Sequence, residues 1–380
     1  MGIKGLTPFL KKRAPYSFGQ ITLDKFRGTR IAIDTLNLIF RTYPNARKKV
    51  INRTDVTRKD PEESEIFKEW MNNLFDIIRI LTSYSITPVF VFDGERPKEK
   101  SETNRKRGED RLKTKNKMLN FREEIRNMDP LLITPEMVTK LRKLMINTND
   151  LSFDSIAEFK SLLTKLGIPN IQAKYEGEQL CAMYAKEGIV SAVYSTDTDN
   201  LAYGVPLLIK NIGNLVQTPR GYVFTAQCVW YENILKQLKY TPEKFLDLCI
   251  MSGCDYNTNI KGIGVNKAYG LFKSYNSIDD IPRMEGKDFS VLKYKRCREM
   301  FQDVSSDSLF VDGFLDYKKE KLPFLGPSLE ELMIFSNQKY LLRSFDKLDR
   351  PNEKVKTIPS PPEIPEIKKY NNVTLRIVSH

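Results

Sequence analysis

Four carboxylates fall within one short stretch: Glu176 and Glu178, then Asp197 and Asp199, each pair separated by a single residue. The first pair opens a helical pattern, and the second closes a β-branched and aromatic run from Ser191 to Thr196. A helix turns about 100° per residue, so positions i and i+2 diverge inside it. At a helix's first turn, or just past a strand, the backbone is irregular enough for both members to aim at one point. Carboxylates paired in this way suit hard cations, which take oxygen ligands.

Other chemistries are narrowed by what the chain lacks. Its only histidine is the last residue, His380, which argues against Ser-His-Asp and Cys-His catalysis and against histidine metal sites. The five cysteines (Cys181, Cys228, Cys249, Cys254, Cys297) show no C-x-x-C spacing and are odd in number. Reduced thiols in an intracellular compartment fit that usage better than a disulfide frame or a zinc site. Catalysis must then come from carboxylates, cations or both. Lys and Arg number 61 against 48 acids, a formal charge of +13, and such an excess favours a polyanionic partner, nucleic acid before membrane. No apolar run is long enough to span a membrane, and MGIKGLTPF has neither a signal-peptide core nor the residue pattern for myristoylation.

The elements that must position these residues alternate between strand and helix. After a short helix at Leu6 to Lys11 and a loop, residues Arg30 to Asp34 read as a buried strand ending in acid. A helical pattern at Leu36, Ile39, Phe40 and Tyr43 is expected to break at Pro44, leaving 45–65 polar and irregular. An amphipathic helix fits Ile66 to Ser83, and Thr87 to Asp93 is a second strand ending in acid. Phe153 to Leu166 reads as a helix stopped by Gly167, and Ile168 to Ala173 as a strand leading into Glu176. Short strands are expected at 207–209 and 222–224, and helices from 231 onward, including one at 328–345. The proline-rich tail from Arg350 reads as extended or disordered. Together this is an α/β fold with a mostly parallel central sheet flanked by helices and a helical C-terminal part.

In a parallel sheet the carboxyl ends of the strands share one edge, where ligands of open α/β folds sit. Asp34, Asp93, Asp197 and Asp199 are therefore expected together. Any one of them alone is more simply a helix cap. Carboxylates about 4 Å apart repel by several kcal/mol even at an effective dielectric near 20, so clustering them calls for cations. Two such ions about 4 Å apart can activate water and stabilise a leaving oxygen in phosphodiester cleavage. Two further features are more ambiguous. Lys261 to Ala268, KGIGVNKA, suits a phosphate at a helix start through Gly262, Gly264 and Lys267, or is a plain helix–turn–helix corner. Glu95 to Arg122 carries eleven Lys/Arg against five acids, which taken alone reads as a solvated helix face.

Six segments, in order, resemble the flap endonuclease family of structure-specific 5′ nucleases, over roughly residues 1 to 345. They are MGIKGL at the start, IAID at 31–34, VFVFDGERPKEK at 89–100, YEGEQLCA at 175–182, STDTDNLAYG at 195–204 and LCIMSGCDYNTNIKGIGVNKA at 248–268. The resemblance implies a PIN-like nuclease core over 1–230, with a helical arch and cap at about 95–150. It also implies a helix–two-turn–helix region over 231–347 and a separate tail over 348–380.

Carried over by position, the family's ligands for two Mg²⁺ ions (Mn²⁺ able to substitute) fall on Asp34, Asp93, Glu176, Glu178, Asp197, Asp199 and Asp255. Its phosphate-contacting arch cations match Lys100 and Arg107. Its base-stacking aromatic matches Phe40, where a tyrosine is common. Arg47 matches a duplex-contacting arginine, Gly2 an amino terminus near the site, and the Gly262–Gly264 loop with Lys267 a duplex-backbone element that takes K⁺. The basic run from 95 to 122 becomes a gateway for a free 5′ strand.

The implied substrate is branched or flapped double-stranded DNA with a 5′ single strand, cut by a monomer in replication, repair or recombination. The implied location is intracellular, in the nucleus or at a viral replication site. A 5′ exonuclease, a Holliday-junction resolvase and a catalytically silent DNA-binding scaffold remain alternatives. Gln338 to Phe345 matches a sliding-clamp peptide only in part, with Ser344 where an aromatic is expected, and the tail is not basic.

Overall fold

The computed structural model describes residues 2–302, apart from 96, 149–150, 219–220 and 283–285. The expected helix at 328–345, the partial clamp motif and the proline-rich tail lie outside the described residues.

The chain opens with α1 (Leu6–Arg13), β1 (Phe18–Thr22), β2 (Arg30–Asp34), α2 (Thr35–Arg53), α3 (Glu63–Ser83) and β3 (Thr87–Phe92). Next come α4 (Ser101–Arg126), α5 (Pro135–Asn147), α6 (Phe153–Lys165), β4 (Asn170–Gln172), α7 (Gly177–Lys186), β5 (Ala192–Tyr194) and α8 (Asp199–Ala202). It continues through β6 (Leu207–Thr218), β7 (Gly221–Trp230), α9 (Tyr231–Leu238), α10 (Pro242–Ser252), α11 (Val265–Leu271) and α12 (Tyr294–Gln302).

All seven strands form one sheet in the order β1-β7-β6-β5-β2-β3-β4. The run from β6 to β4 is parallel, whereas β7 lies antiparallel to both β6 and β1. Alternation along β2 sends Ile31 and Ile33 to one face and Ala32 to the other. Burial of both faces explains why this strand reads as a continuous apolar run. On the first face α2, α3 and α6 pack around Trp70, whose indole N–H donates to Thr42 Oγ1 at 3.0 Å. On the second face lie α1, α7, α9 and α10.

Three expectations change. Helix α2 does not stop at Pro44 but runs on to Arg53. Its apolar face continues through Ala46, Val50 and Ile51, all buried, and this packing outweighs the one backbone bond that proline removes. Residues 18–22, expected as loop, pair with β7, and Gly19 lets that strand lie against the Trp230 ring. The two short strands near 207 and 222 are one long ladder reaching Thr218 and Gly221, with register shifts at Ile209/Asn211 and Ile212/Asn214. Those bulges interrupt the alternation by which a strand is recognised. Among the described residues no helix is long and apolar enough to cross a membrane.

The basic stretch folds as α4, and the continuation of α2 explains how it is held. Ile51 and Val56 meet Met118 and Ile125 of α4 and Leu141 and Met145 of α5 in a third, separate apolar cluster. Asp60 adds bonds from Arg122 and Arg126 at 3.0 Å. Helices α4 and α5 thus have a small core of their own. Truncating a buried isoleucine costs about 2–5 kcal/mol. Ile125→Ala should therefore speed amide exchange in α4 and α5 by at least about thirtyfold while the sheet keeps its protection. Equal acceleration across the sheet would show that α4 and α5 are not a separate unit.

Candidate active site

Strand register sets the height of each carboxylate. Asp34 closes β2 opposite Val91 of β3, and Ile33 lies opposite Tyr194 of β5. Ser195 is thereby level with Asp34, and its hydroxyl donates to Asp34 Oδ2 at 2.8 Å. Asp34 Oδ1 caps α2, accepting from Asn37 N at 3.1 Å. Asp93 follows β3, and its Oδ1 accepts from Gly177 N at 2.9 Å. Glu176 occupies the N-cap position of α7, and Glu178 its first turn. A side chain at 177 would bring a Cβ to 2.7 Å from Asp93 Oδ1, so a glycine separates the glutamates for steric reasons.

Glu178, Asp197 and Asp199 each bring a carboxylate oxygen to within 4.8 Å of the others. Within this group Asp197 N donates to Ser195 Oγ at 3.0 Å, and Asp199 N to Asp197 Oδ1 at 3.1 Å. Asp199 is only 1% exposed, and its Oδ1 is buried without a hydrogen-bond partner. An ionised oxygen in that position is tenable when a cation meets it. The donor set is all oxygen, which fits a hard divalent ion. Gly2 adopts φ 91°, and a Cβ there would overlap Asp197 Oδ1, so residue 2 reaches the cluster as expected.

Electrostatics express the crowding. Burial, then Asp93 and Asp197, push the Asp34 carboxyl up to about 7 despite the bonds from Ser195 and Asn37. Burial and Asp197 hold Glu178 and Asp199 well above the usual carboxylate range. Burial also raises Glu176, with Lys100 opposing it. For Lys100, burial acts to lower the ammonium's pKa, but Glu178, Glu176 and Asp255 outweigh it and hold the pKa well above its ordinary value.

The start of α4 supplies the opposite charge. Lys100, at the N-cap of α4, bonds Glu176 Oε2 and stands 3.7 Å from Asp255 Oδ2. Its ammonium also sits 5.1 Å from the centroid of the Tyr256 ring. Arg107, two turns along the same helix face, donates through Nη2 to both Asp255 oxygens at 2.9 and 3.0 Å. One turn further, Arg111 lies over the half-buried Phe40 ring at 5.6 Å. The expected carboxylates, arch cations and aromatic therefore meet in one region.

The remaining expected residues lie elsewhere. Arg47 is 5% exposed and donates through Nη2 to Met145 O at 3.0 Å, joining α2 to the end of α5 instead of facing outward. Gly262 has φ 81°, Gly264 heads α11, and Lys267 is exposed in the first turn of that helix. Lys287 Nζ donates to Lys261 O at this turn, at 2.9 Å. Sequence reasoning missed Ser195, Asn37 and Gly177. Ser195 and Gly177 stood inside the quoted motifs, whereas Asn37 carried no signal of its own.

A mostly parallel sheet whose carboxyl edge gathers acids beside a cationic helix has the build of a PIN-like α/β nuclease. The model of the XPG N-terminal domain matches residues 1–114, and that of the XPG I-region matches residues 167–255. Flap endonuclease 1 of Plasmodium chabaudi chabaudi is 31% identical over 345 residues, covering 88% of this chain and 67% of that one. Flap endonuclease 1 of Cryptosporidium muris is 32% identical over 340 residues, covering 87% and 67%. In fold the chain resembles the catalytic core of Rad2 in complex with DNA substrate, with a TM-score of 0.51 at 19% identity, covering 89% of this chain and 97% of that one. The chain belongs to the XPG family, with the flap endonucleases among its relatives.

The raised carboxyls make a pH prediction. Asp34 binds its proton more tightly folded than unfolded between 3.8 and about 7, so stability falls as pH rises through that window. A tenfold difference in proton affinity between the two states is worth about 1.4 kcal/mol. In EDTA, the melting temperature should drop between about pH 4 and pH 7. Asp34→Asn should flatten that drop, and an unchanged slope in this variant would remove Asp34 as a source.

Proposed function

We propose that the chain is a metal-dependent, structure-specific 5′ nuclease that cuts phosphodiesters of branched DNA carrying a free 5′ strand. The observation that carries this reading is the convergence of Glu178, Asp197 and Asp199 within 4.8 Å, next to the arch cations Lys100 and Arg107. With Asp34, Asp93, Glu176 and Asp255 these carboxylates would hold two Mg²⁺ ions, with Mn²⁺ able to replace them. When bound, such ions supply a nucleophilic water and Lewis-acid stabilisation of phosphoryl oxygens.

The chain's own residues do the rest. Lys100 and Arg107, paired with Glu176 and Asp255 in the absence of substrate, exchange those carboxylates for oxygens of the scissile phosphate. Phe40 offers a face for a displaced base and lacks the hydroxyl of a tyrosine. Arg47 serves the substrate by seating the arch on α2. The segment from 231 onward carries the duplex, with Gly262, Gly264 and Lys267 against its backbone and K⁺ as counter-ion at that turn.

On a labelled 5′ flap, Asp197→Ala should lose at least about a hundredfold in cleavage rate yet retain duplex binding. Near-normal turnover by that variant would sink the assignment. Affinity should fall steeply with salt, with log K linear in log salt concentration, as expected for phosphate contacts. A flat response would remove the arch from the binding surface. Matched flap, recessed-end and four-way substrates rank the activities.

A further inference from the structure

We propose that Lys210 and Asn37 are positioning residues that clamp Thr196 and so hold Asp197 and Asp199 in ligand geometry before any metal arrives. Thr196 stands between the end of β5 and Asp197, and it is gripped from two sides. Its N–H and its hydroxyl both donate to Asn37 Oδ1, at 2.9 and 2.8 Å. Its carbonyl accepts from Lys210 Nζ. Both grips are braced. Asn37 is tied through its own N–H to Asp34 Oδ1 at 3.1 Å. The Lys210 carbonyl accepts from Arg41 Nη1 at 3.1 Å, and that guanidinium bonds the Tyr194 hydroxyl and lies 4.8 Å from the centroid of its ring.

The placement of Lys210 points the same way. Along β6, Ile209 pairs with Cys228 and Asn211 with Gln227, so Lys210 is the extra residue of a bulge. Bulges re-aim a side chain out of the sheet's alternation, and they recur beside active sites. Here the bulge directs an ammonium at one peptide carbonyl, although burial disfavours its charge and lowers its pKa to about 8. The need for a clamp follows from charge. Glu178, Asp197 and Asp199 repel one another, and the Thr196 peptide is where the loop bearing two of them would otherwise swing outward. Such supporting residues commonly change metal affinity by about 10- to 100-fold.

The inference rests on the metal-dependent reading above, and it is tested by metal binding in place of turnover. Mn²⁺ binding to the full chain is measured by electron paramagnetic resonance of the free ion, for wild type, Lys210→Met, Lys210→Arg and Asn37→Leu. Affinity for a flap duplex is measured separately in EDTA. Lys210→Met and Asn37→Leu should each weaken Mn²⁺ by about tenfold or more, and Lys210→Arg should restore most of it, with flap affinity unchanged. Unchanged Mn²⁺ affinity in Lys210→Met would overturn the proposal. So would a tenfold loss of flap affinity with Mn²⁺ binding intact, which would make Lys210 a phosphate contact. A loss that tracks a lowered melting temperature and is not rescued by arginine would reduce the clamp to general stability. A wild type that binds Mn²⁺ but leaves the flap uncut would fail the nuclease reading and leave the clamp standing.

Discussion

Mutual repulsion among buried carboxylates is the constraint to which much of this structure answers. Seven acids from three strand ends, one helix start and one late loop lie in reach of each other's fields, most of them out of water. The fold opposes that repulsion with backbone N–H groups, the Ser195 hydroxyl and the side chains of Lys100 and Arg107. Any cation that enters such a site relieves several unfavourable pairs at once. The same tension explains why the supporting contacts come from the body of the domain and not only from the loops that carry the acids.

Helix α4 answers a second requirement. A helix this rich in lysine and arginine has little apolar surface with which to dock. Its attachment comes from Met118 and Ile125, gathered with α5 onto the far end of α2. Arg47 lies at that joint, and Phe40 meets Arg111 nearer the site. A single helix, α2, therefore carries the cap of Asp34 at one end and the seat of α4 and α5 at the other. The spacing between carboxylates and cations is set along one rigid element.

What could be read from the residues divides along physical lines. The acids were legible because burying charge at a strand end is costly and therefore stands out against an apolar run, as in IAID and VFVFD. The parallel core was legible for the same reason. Helix α2 past Pro44 was not, since its persistence depends on contacts with residues some seventy positions away, and local propensity carries no trace of them. The full β6–β7 ladder was obscured by its bulges, and Lys210 by lying in one of them. Arg47 matched a motif by position, but its direction is decided by the Met145 carbonyl, which belongs to a different helix.

Gly2 has a practical corollary. Its backbone lies against Asp197 and Thr198 closely enough that no side chain fits there. Any linker joined ahead of it would begin beside the Asp197 carboxylate. A carrier protein or affinity tag fused at this end would crowd the carboxylate cluster, so recombinant material is better tagged elsewhere on the chain.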